Sequence, residues 1–253
     1  MATGTVSLVL GGLVELAVLA FLAVKLRRIV RRVRGSRAVL VEALDDALTA
    51  ELPRRLGAIL ATEAAAMAYA FAGWFRAAPA GGFSTHRERR YLVVVAILAV
   101  LVVVETAGVH FALVRVSTAA AWIATALSVY ALLWIAGDAQ AVRLHPVRLE
   151  SKHLLVIQGI RWRAELPWAD VESAQPVDSA PDGALRMGLL GANVLVRLRA
   201  PVEARGAFGR RRAADRIALT VDRRDEFLAA VAHRARFAHE RVNRQDAGDA
   251  KER

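Results

Sequence analysis

The sequence predicts a helical membrane domain followed by a small α+β domain of about seven strands and one C-terminal helix. Three observations predict it. The 253-residue chain is 56% hydrophobic yet carries a net charge of +11, and its mean hydropathy is +0.35. Greasy and basic character together belong to membrane spans with cationic flanks. The apolar residues of the first half come in long unbroken runs, whereas from Asp138 onward the pattern changes to short alternating segments. The division expected is a membrane domain over 1–137, a small domain over 138–242 and a disordered tail over 243–253. A high isoelectric point also suits nucleic-acid binding, but the long apolar runs argue against it, and no nucleic-acid partner is expected.

The first apolar run, Val6 to Val24, spans about 28 Å as a helix, enough for the hydrocarbon core. No basic residue precedes it, and Lys25, Arg27, Arg28, Arg31, Arg32, Arg34 and Arg37 follow it. A signal peptide carries its charge in front, so this run reads as an anchor. Residues 38–50 read as a short amphipathic helix with Leu40, Leu44 and Leu48 on one stripe. Pro53 marks a fresh helix start. The Ala-rich stretch Leu56 to Phe75 is long enough to span but weakly hydrophobic; it suits a crossing, an interfacial position or packing against true spans. A loop at 79–82 and a basic segment at His86–Arg90 lead to the strongest span, Leu92 to Val114. The short link Arg115–Ser117 forces a tight hairpin with the next span, Thr118 to Ala136. Trp122, Tyr130 and Trp134 suit interfacial anchoring.

Strands are expected at Gln140–Leu149, Leu154–Ile157, Arg161–Leu166, Val171–Val177, Leu185–Leu189, Asn193–Arg199 and Arg216–Val221. In Arg161–Leu166 charged and apolar residues alternate, the period of a half-buried strand, and Gly159 supplies the turn before it. Asp222 suits an N-cap for a helix from Arg223 to about Arg241, whose stripe is Phe227, Leu228, Val231 and Ala235. Trp162 and Trp168 suit core and rim positions of this domain.

The segment His153-Leu-Leu-Val-Ile-Gln-Gly-Ile-Arg-Trp162, followed by Leu166-Pro-Trp-Ala-Asp-Val171, resembles bacterial pleckstrin-homology-like (PH-like) domains fused to membrane helices. The resemblance covers roughly the last 110 residues and implies a small PH-like barrel of about seven strands and a C-terminal helix. The first half is similar to bacterial membrane proteins with a "Glu…Gly-Trp" helix and a "Phe-(Ser/Thr)-x-His-Arg" loop, here Glu63, Gly73-Trp74 and Phe83-Ser84-Thr85-His86-Arg87. These resemblances imply fold and membrane residence and bring no activity. The loop that gathers cations in phosphoinositide-binding relatives holds only Arg148, Lys152 and His153 here.

The candidate sites are three. The basic run Lys25–Arg37 would contact an anionic leaflet, each cation contributing about 1 kcal/mol; anchoring of topology by positive charge explains the same residues. Glu15, Glu63 and Glu105 lie in apolar runs, where a carboxylate costs about 3 kcal/mol by insertion scales. They suit a proton or cation relay or, more simply, neutral hydrogen-bonding groups between helices. Arg210, Arg211 and Arg212, following Phe208-Gly209, form a cationic tip suited to lipid phosphates or an acidic partner, or to plain solvation. His110 does not share a helix face with Glu105 and reads as interfacial. His86 reads as a loop histidine, and His233 and His239 are poorly spaced for a metal. No phosphate loop, nucleophile elbow or helical zinc motif occurs, so no enzyme activity, cofactor or metal is expected.

The expected function is a membrane-anchored binding or scaffold protein. Its PH-like domain would sit at the cytoplasmic face of the inner membrane, with the lipid bilayer and another membrane or cytoplasmic protein as partners. The alternative is a small proton-coupled transporter using the three glutamates. Three full spans place residues 25–90 and 138–253 inside, with every basic cluster cytoplasmic; a fourth at 56–75 would put the small domain outside.

Overall fold

The computed structural model describes residues 21, 23–36, 39–79, 81–85, 91–188 and 191–249. The chain divides into two compact units, one up to Ala65 and one from Ala66 onward, with the boundary inside a helix. The expected span Val6–Val24 falls almost wholly outside the described residues.

The first unit holds α1 (23–35), α2 (Leu40–Thr49) and the first part of α3 (Arg54–Ala72). Pro53 opens α3 as expected, its carbonyl accepting from Gly57 N at 2.9 Å. Gly57 lies against the Thr49 backbone, where a Cβ would approach to 2.8 Å. In α1 the half-buried positions are Lys25, Ile29 and Val33, one helical stripe. Ala58, Ala61 and Ala65 form the buried stripe of α3 in this unit.

Among the described residues three helices are long and apolar enough to cross a membrane: Arg54–Phe75, α4 (Tyr91–Leu113) and α5 (Thr118–Leu144). They differ in what covers them. Half of the apolar window of Arg54–Phe75 is buried within protein, against none of α4 and 6% of α5. The Ala-rich composition of α3 is the reason for its weak hydropathy, because small side chains allow close packing. The α4–α5 hairpin presents Leu92, Ile97, Val100, Val104, Ile123 and Leu127 outward, a surface that lipid solvates and water does not.

In the second unit α5 does not stop at residue 136. It runs unbroken to Leu144, and only Arg148–Leu149 of the expected strand Gln140–Leu149 is extended (β1). Between Asp138 and Leu144 stand helix formers with no breaker. Pro146 then disfavours the helical conformation at His145, whose φ and ψ are −124° and 75°.

The sheet has seven strands: β1, β2 (His153–Gln158), β3 (Trp162–Pro167), β4 (Val171–Pro176), β5 (Leu185–Met187), β6 (Val194–Gly206) and β7 (Arg211–Leu219). The order is β1-β2-β3-β6-β7-β5, with β4 paired to β6. Thus β6 meets β3 through its last residues and β4 through its first, while β5 runs parallel to β7. The strand expected at Asn193–Arg199 is longer because β6 continues beyond Pro201. Its register with β7 shifts between Arg197 and Val202, so the proline sits where the ladder is already interrupted. Helix α6 (Arg224–Asp249) closes the core with Phe227, Val231 and Ala235 against Leu154, Leu166 and Ile217. It extends past the expected end near Arg241, so the polar stretch beyond Asn243 is helical as far as Asp249.

Phe83 joins this core from before the hairpin. It exchanges two backbone hydrogen bonds with Val147, at 2.8 and 2.9 Å, and packs edge-on against Phe227 at 5.1 Å. The carboxylate of Asp222 accepts from Ser84 Oγ at 2.6 Å, and Asp222 N donates to Ser84 O at 2.7 Å.

Gly159 turns β2 into β3 with φ +57°, and a Cβ there would lie 2.2 Å from Asp138 Oδ1. Gly81 also has positive φ, +93°, but opens on empty space. Gly159→Ala should therefore lower stability by about 2–3 kcal/mol, and Gly81→Ala by about 1 kcal/mol. Thermal unfolding of the full chain in detergent reads the difference.

Candidate functional site

The basic run lies on α1. Arg27, Arg28, Arg31, Arg32 and Arg34 are exposed; Arg37 falls outside the described residues. Two of the cations have an acid after all. Lys25 Nζ donates to the Glu51 carbonyl at 2.8 Å, and Arg32 lies 3.4 Å from the Glu51 carboxylate. That glutamate follows the C-terminus of α2, where cations are favoured. The remaining arginines stay available to an anionic surface.

Of the three glutamates, Glu15 lies outside the described residues. Glu63 is half-buried in the first unit, and Glu105 is on the exposed face of α4 in the second. Neither hairpin cavity described below is lined by Glu105. A polar residue that faces across the hairpin is His110. Its Nδ1 is 2.8 Å from Thr125 Oγ1, and that hydroxyl donates to Ala121 O at 2.9 Å. Thr125 therefore accepts from His110 Nδ1–H. Trp122 meets the imidazole edge-on at 5.1 Å. With Thr106 and Ser128 these groups line a cavity of about 410 Å³ that is otherwise apolar.

The hairpin is fastened to the sheet by one carboxylate. Asp138 is buried in the last third of α5. Its Oδ1 accepts from Ile160 N at 3.0 Å, and its Oδ2 lies 3.0 Å from Arg161 Nε. Tyr91 Oη, at the start of α4, donates to the same Oδ2 at 3.4 Å. The Nε contact is an ion pair without hydrogen-bond alignment, and Arg161 Nη2 is buried without a hydrogen bond. Gly159 leaves the space that the carboxylate needs. Sequence reasoning missed this residue; its one signal was an acid placed at the end of an apolar span, directly after Gly137.

A second fastening holds the end of α3. Gly137 lies against Ala66 O, where a Cβ would fall at 2.2 Å, and Gly73 lies against Gln140. Arg143 Nη2 donates to Gly73 O at 2.6 Å and to Arg76 O at 2.9 Å, while its Nε donates to Gln140 Oε1 at 2.8 Å. The Gly73-Trp74 motif is thus a helix C-terminus capped by an arginine. Beside it, a cavity of about 560 Å³ runs between α4 and α5, apolar except at Gln140 and Arg143. Buried Tyr69 reaches His145, its Oη 3.4 Å from Nε2. His145 Nδ1 lies 2.7 Å from Ala141 O, so Nδ1 carries the proton and Nε2 accepts from the tyrosine. Burial holds the His145 pKa below its ordinary 6.5, outweighing the carbonyl contact.

The sheet offers two surfaces. Between β4 and α6 a groove of about 410 Å³ is lined by Val171, Ser173, Val231, Arg236 and His239, and the only strand partner of β4 among the described residues is β6. His239 Nε2 is buried there without a partner. The expected cationic tip is the β6–β7 turn. Arg210 is in the turn, while Arg211 and Arg212 begin β7. Arg211 bonds Glu203 at 2.9 Å and Arg212 bonds Gly183 O at 3.1 Å. Phe208 holds φ 59°, a conformation costing an L-residue about 1–2 kcal/mol, and stacks on Trp134 of α5 at 5.8 Å and 24°. Trp162 lies over Gly206, and Trp168 is buried with its Nε1 donating to Glu150 O at 2.9 Å. Comparison with known proteins finds no matching family, no matching characterised protein and no matching solved structure.

Asp138→Ala strands Arg161 and should cost about 2–3 kcal/mol, of which Asp138→Ala/Arg161→Met recovers a part; thermal melts of the full chain measure both. The His145 prediction follows from linkage. Its folded pKa is depressed, so the unfolded chain takes the proton first. The stability it contributes is complete above about pH 6.5 and is lost as pH falls through the folded pKa. The melting temperature should therefore drop between about pH 7 and pH 5, and His145→Gln should flatten that slope.

Proposed function

We propose that this protein is a membrane-anchored binding or scaffold protein that presents a PH-like domain at the cytoplasmic surface of the inner membrane. The observation that carries this reading is the continuity of α5. The helix passes from the lipid-facing hairpin into the sheet without a linker, and Asp138 bonds the β2–β3 turn. A domain on a flexible tether samples many heights above a membrane; this one is held at a set height and orientation. Rigid mounting suits presentation of a surface.

The count of seven strands and the closing helix support the PH-like reading. The strand order has β4 off the main path and β5 parallel to β7. The surface offered is the β4–α6 groove. A strand edge beside a helix suits a peptide segment of a protein partner, which would add main-chain hydrogen bonds to β4 and bury apolar side chains against Val231 and Ala235. The mixed charges of Glu172, Arg236, His239 and Glu240 along its rim would set orientation more than affinity. A catalytic role draws no support from the site, and the reading assigns none.

The test is a photo-crosslinking residue at Glu172 in the full chain, expressed in cells and recovered from membranes. The expected outcome is a discrete protein adduct that Ser173→Arg abolishes and that a crosslinker at exposed Asp215 does not give. Equal adducts from both positions, or recovery of the chain in the soluble fraction without detergent, would overturn the reading.

A further inference from the structure

We propose that the β6–β7 end of the sheet is itself a membrane-binding element: Phe208 enters the headgroup region of an anionic bilayer, and a row of arginines beside it takes the lipid phosphates. The inference rests on the reading of α4 and α5 as a spanning hairpin.

The position follows from α5. Trp134 lies one helical turn, about 6 Å, closer to the lipid-facing part of the hairpin than Asp138. Asp138 is the level at which α5 meets Ile160 and Arg161 of the sheet. With Thr118 at the near boundary of a hydrocarbon core about 30 Å thick, the helix rises about 30 Å to Asp138 at the far boundary and about 24 Å to Trp134, which therefore sits about 6 Å inside it. Tryptophan at that depth belongs to the aromatic belt of membrane proteins. Phe208 stacks on Trp134 and stays 42% exposed, so the tip of the sheet reaches down to the same level. An exposed phenylalanine in the left-handed region, in a turn that glycine could fill more easily, is placed there by its side chain's use rather than by the needs of the backbone.

The charge pattern fits the same surface. In the register of the sheet, Arg163 of β3 is opposite Arg205 of β6, and Arg205 is opposite Arg211 of β7. Like charges directly opposed across strands are unfavourable in isolation. Glu165 and Glu203 pair with members of the row. Arg210 follows in the turn itself, so four arginines stand beside two glutamates at the end that carries Phe208, while Arg212 lies on the opposite face of β7. An anionic leaflet completes the balance, and each cation near it gains attraction that falls away within a Debye length. The bilayer is the favoured partner over an acidic protein because the aromatic pair and the cations are fixed at the level of the lipid boundary by α5.

The chain has no cysteine, so single fluorophores can be placed at will. Labels go on Phe208→Cys, on Ala213→Cys with Phe208 retained, on Asp178→Cys as an aqueous reference and on Val104→Cys as a mid-span reference. The full chain is reconstituted in phosphatidylcholine vesicles with or without an equal part of phosphatidylglycerol. Quenching by lipid brominated near its headgroup is compared with quenching by aqueous iodide. The expected result is lipid quenching at positions 208 and 213 that increases with phosphatidylglycerol and falls to the Asp178 level when Arg210, Arg211 and Arg212 become alanine. Arg210→Ala alone, in an exposed turn, gives a smaller loss and guards against misfolding of the triple variant. Iodide quenching at 208 equal to that at 178 overturns the proposal. So does protection from both quenchers, which assigns the tip to a protein contact, or lipid quenching indifferent to phosphatidylglycerol. Val104, read with lipid brominated near the ends of its acyl chains, separates the two readings: if it escapes that quencher, the spanning hairpin fails; if it is quenched and the tip is not quenched by headgroup bromines, only the tip proposal fails.

Discussion

The architecture of the second unit depends on one buried carboxylate. Asp138 accepts from the backbone of the β2–β3 turn, pairs with Arg161 and receives the hydroxyl of Tyr91. It therefore touches the end of one hairpin helix, the start of the other and the sheet. Such a group adds little net stability, because desolvation of the charges offsets most of their attraction. What it supplies is registry. A sheet packed on a helix by apolar contact alone can slide or rotate; a carboxylate of α5 with partners on α4 and on the β2–β3 turn admits one arrangement. Gly159 belongs to the same device, since any side chain there would occupy the space of the carboxylate.

The glycines and alanines of α3 and α5 serve the same end by a different force. Gly137 against Ala66, and Gly73 against Gln140, bring backbones together, and Arg143 then takes the carbonyls that α3 leaves at its end. The apolar side chains of α4 and most of α5 remain uncovered among the described residues. The hairpin thus divides its surfaces by composition: small residues toward protein, large branched ones outward. Tyr69 and His145 extend the protein-facing seam with a neutral imidazole, tuned by burial and by its carbonyl partner.

The parts of the fold that depend on local order were legible. The alternation of Arg161–Leu166, the turn at Gly159, the apolar stripe of α6 and the uniform run of α4 each state their conformation within about ten residues. The length of α5 was not, because the five residues Gln140–Leu144 are too short a stretch for periodicity to separate helix from strand. The far half of β6 was hidden by Pro201, which reads as a breaker and is instead accommodated at a register shift. The parallel pairing of β5 and the docking of Phe83 join residues far apart in sequence, and no periodicity records them. The candidate sites divide in the same way. The arginines of α1 and of the β6–β7 turn stand where their spacing placed them. The fastening role of Asp138 and the cross-hairpin bond of His110 arise only from tertiary proximity, and the pair of Phe208 with Trp134 joins a turn to a helix that the sequence assigns to different domains.

The two hydrogen bonds between Phe83 and Val147 close a loop. Phe83 precedes α4 and Val147 follows α5, so both ends of the hairpin are pinned at one place. A chain whose ends stood apart would leave Phe227 without the cover of Phe83, an apolar patch of the kind that invites association.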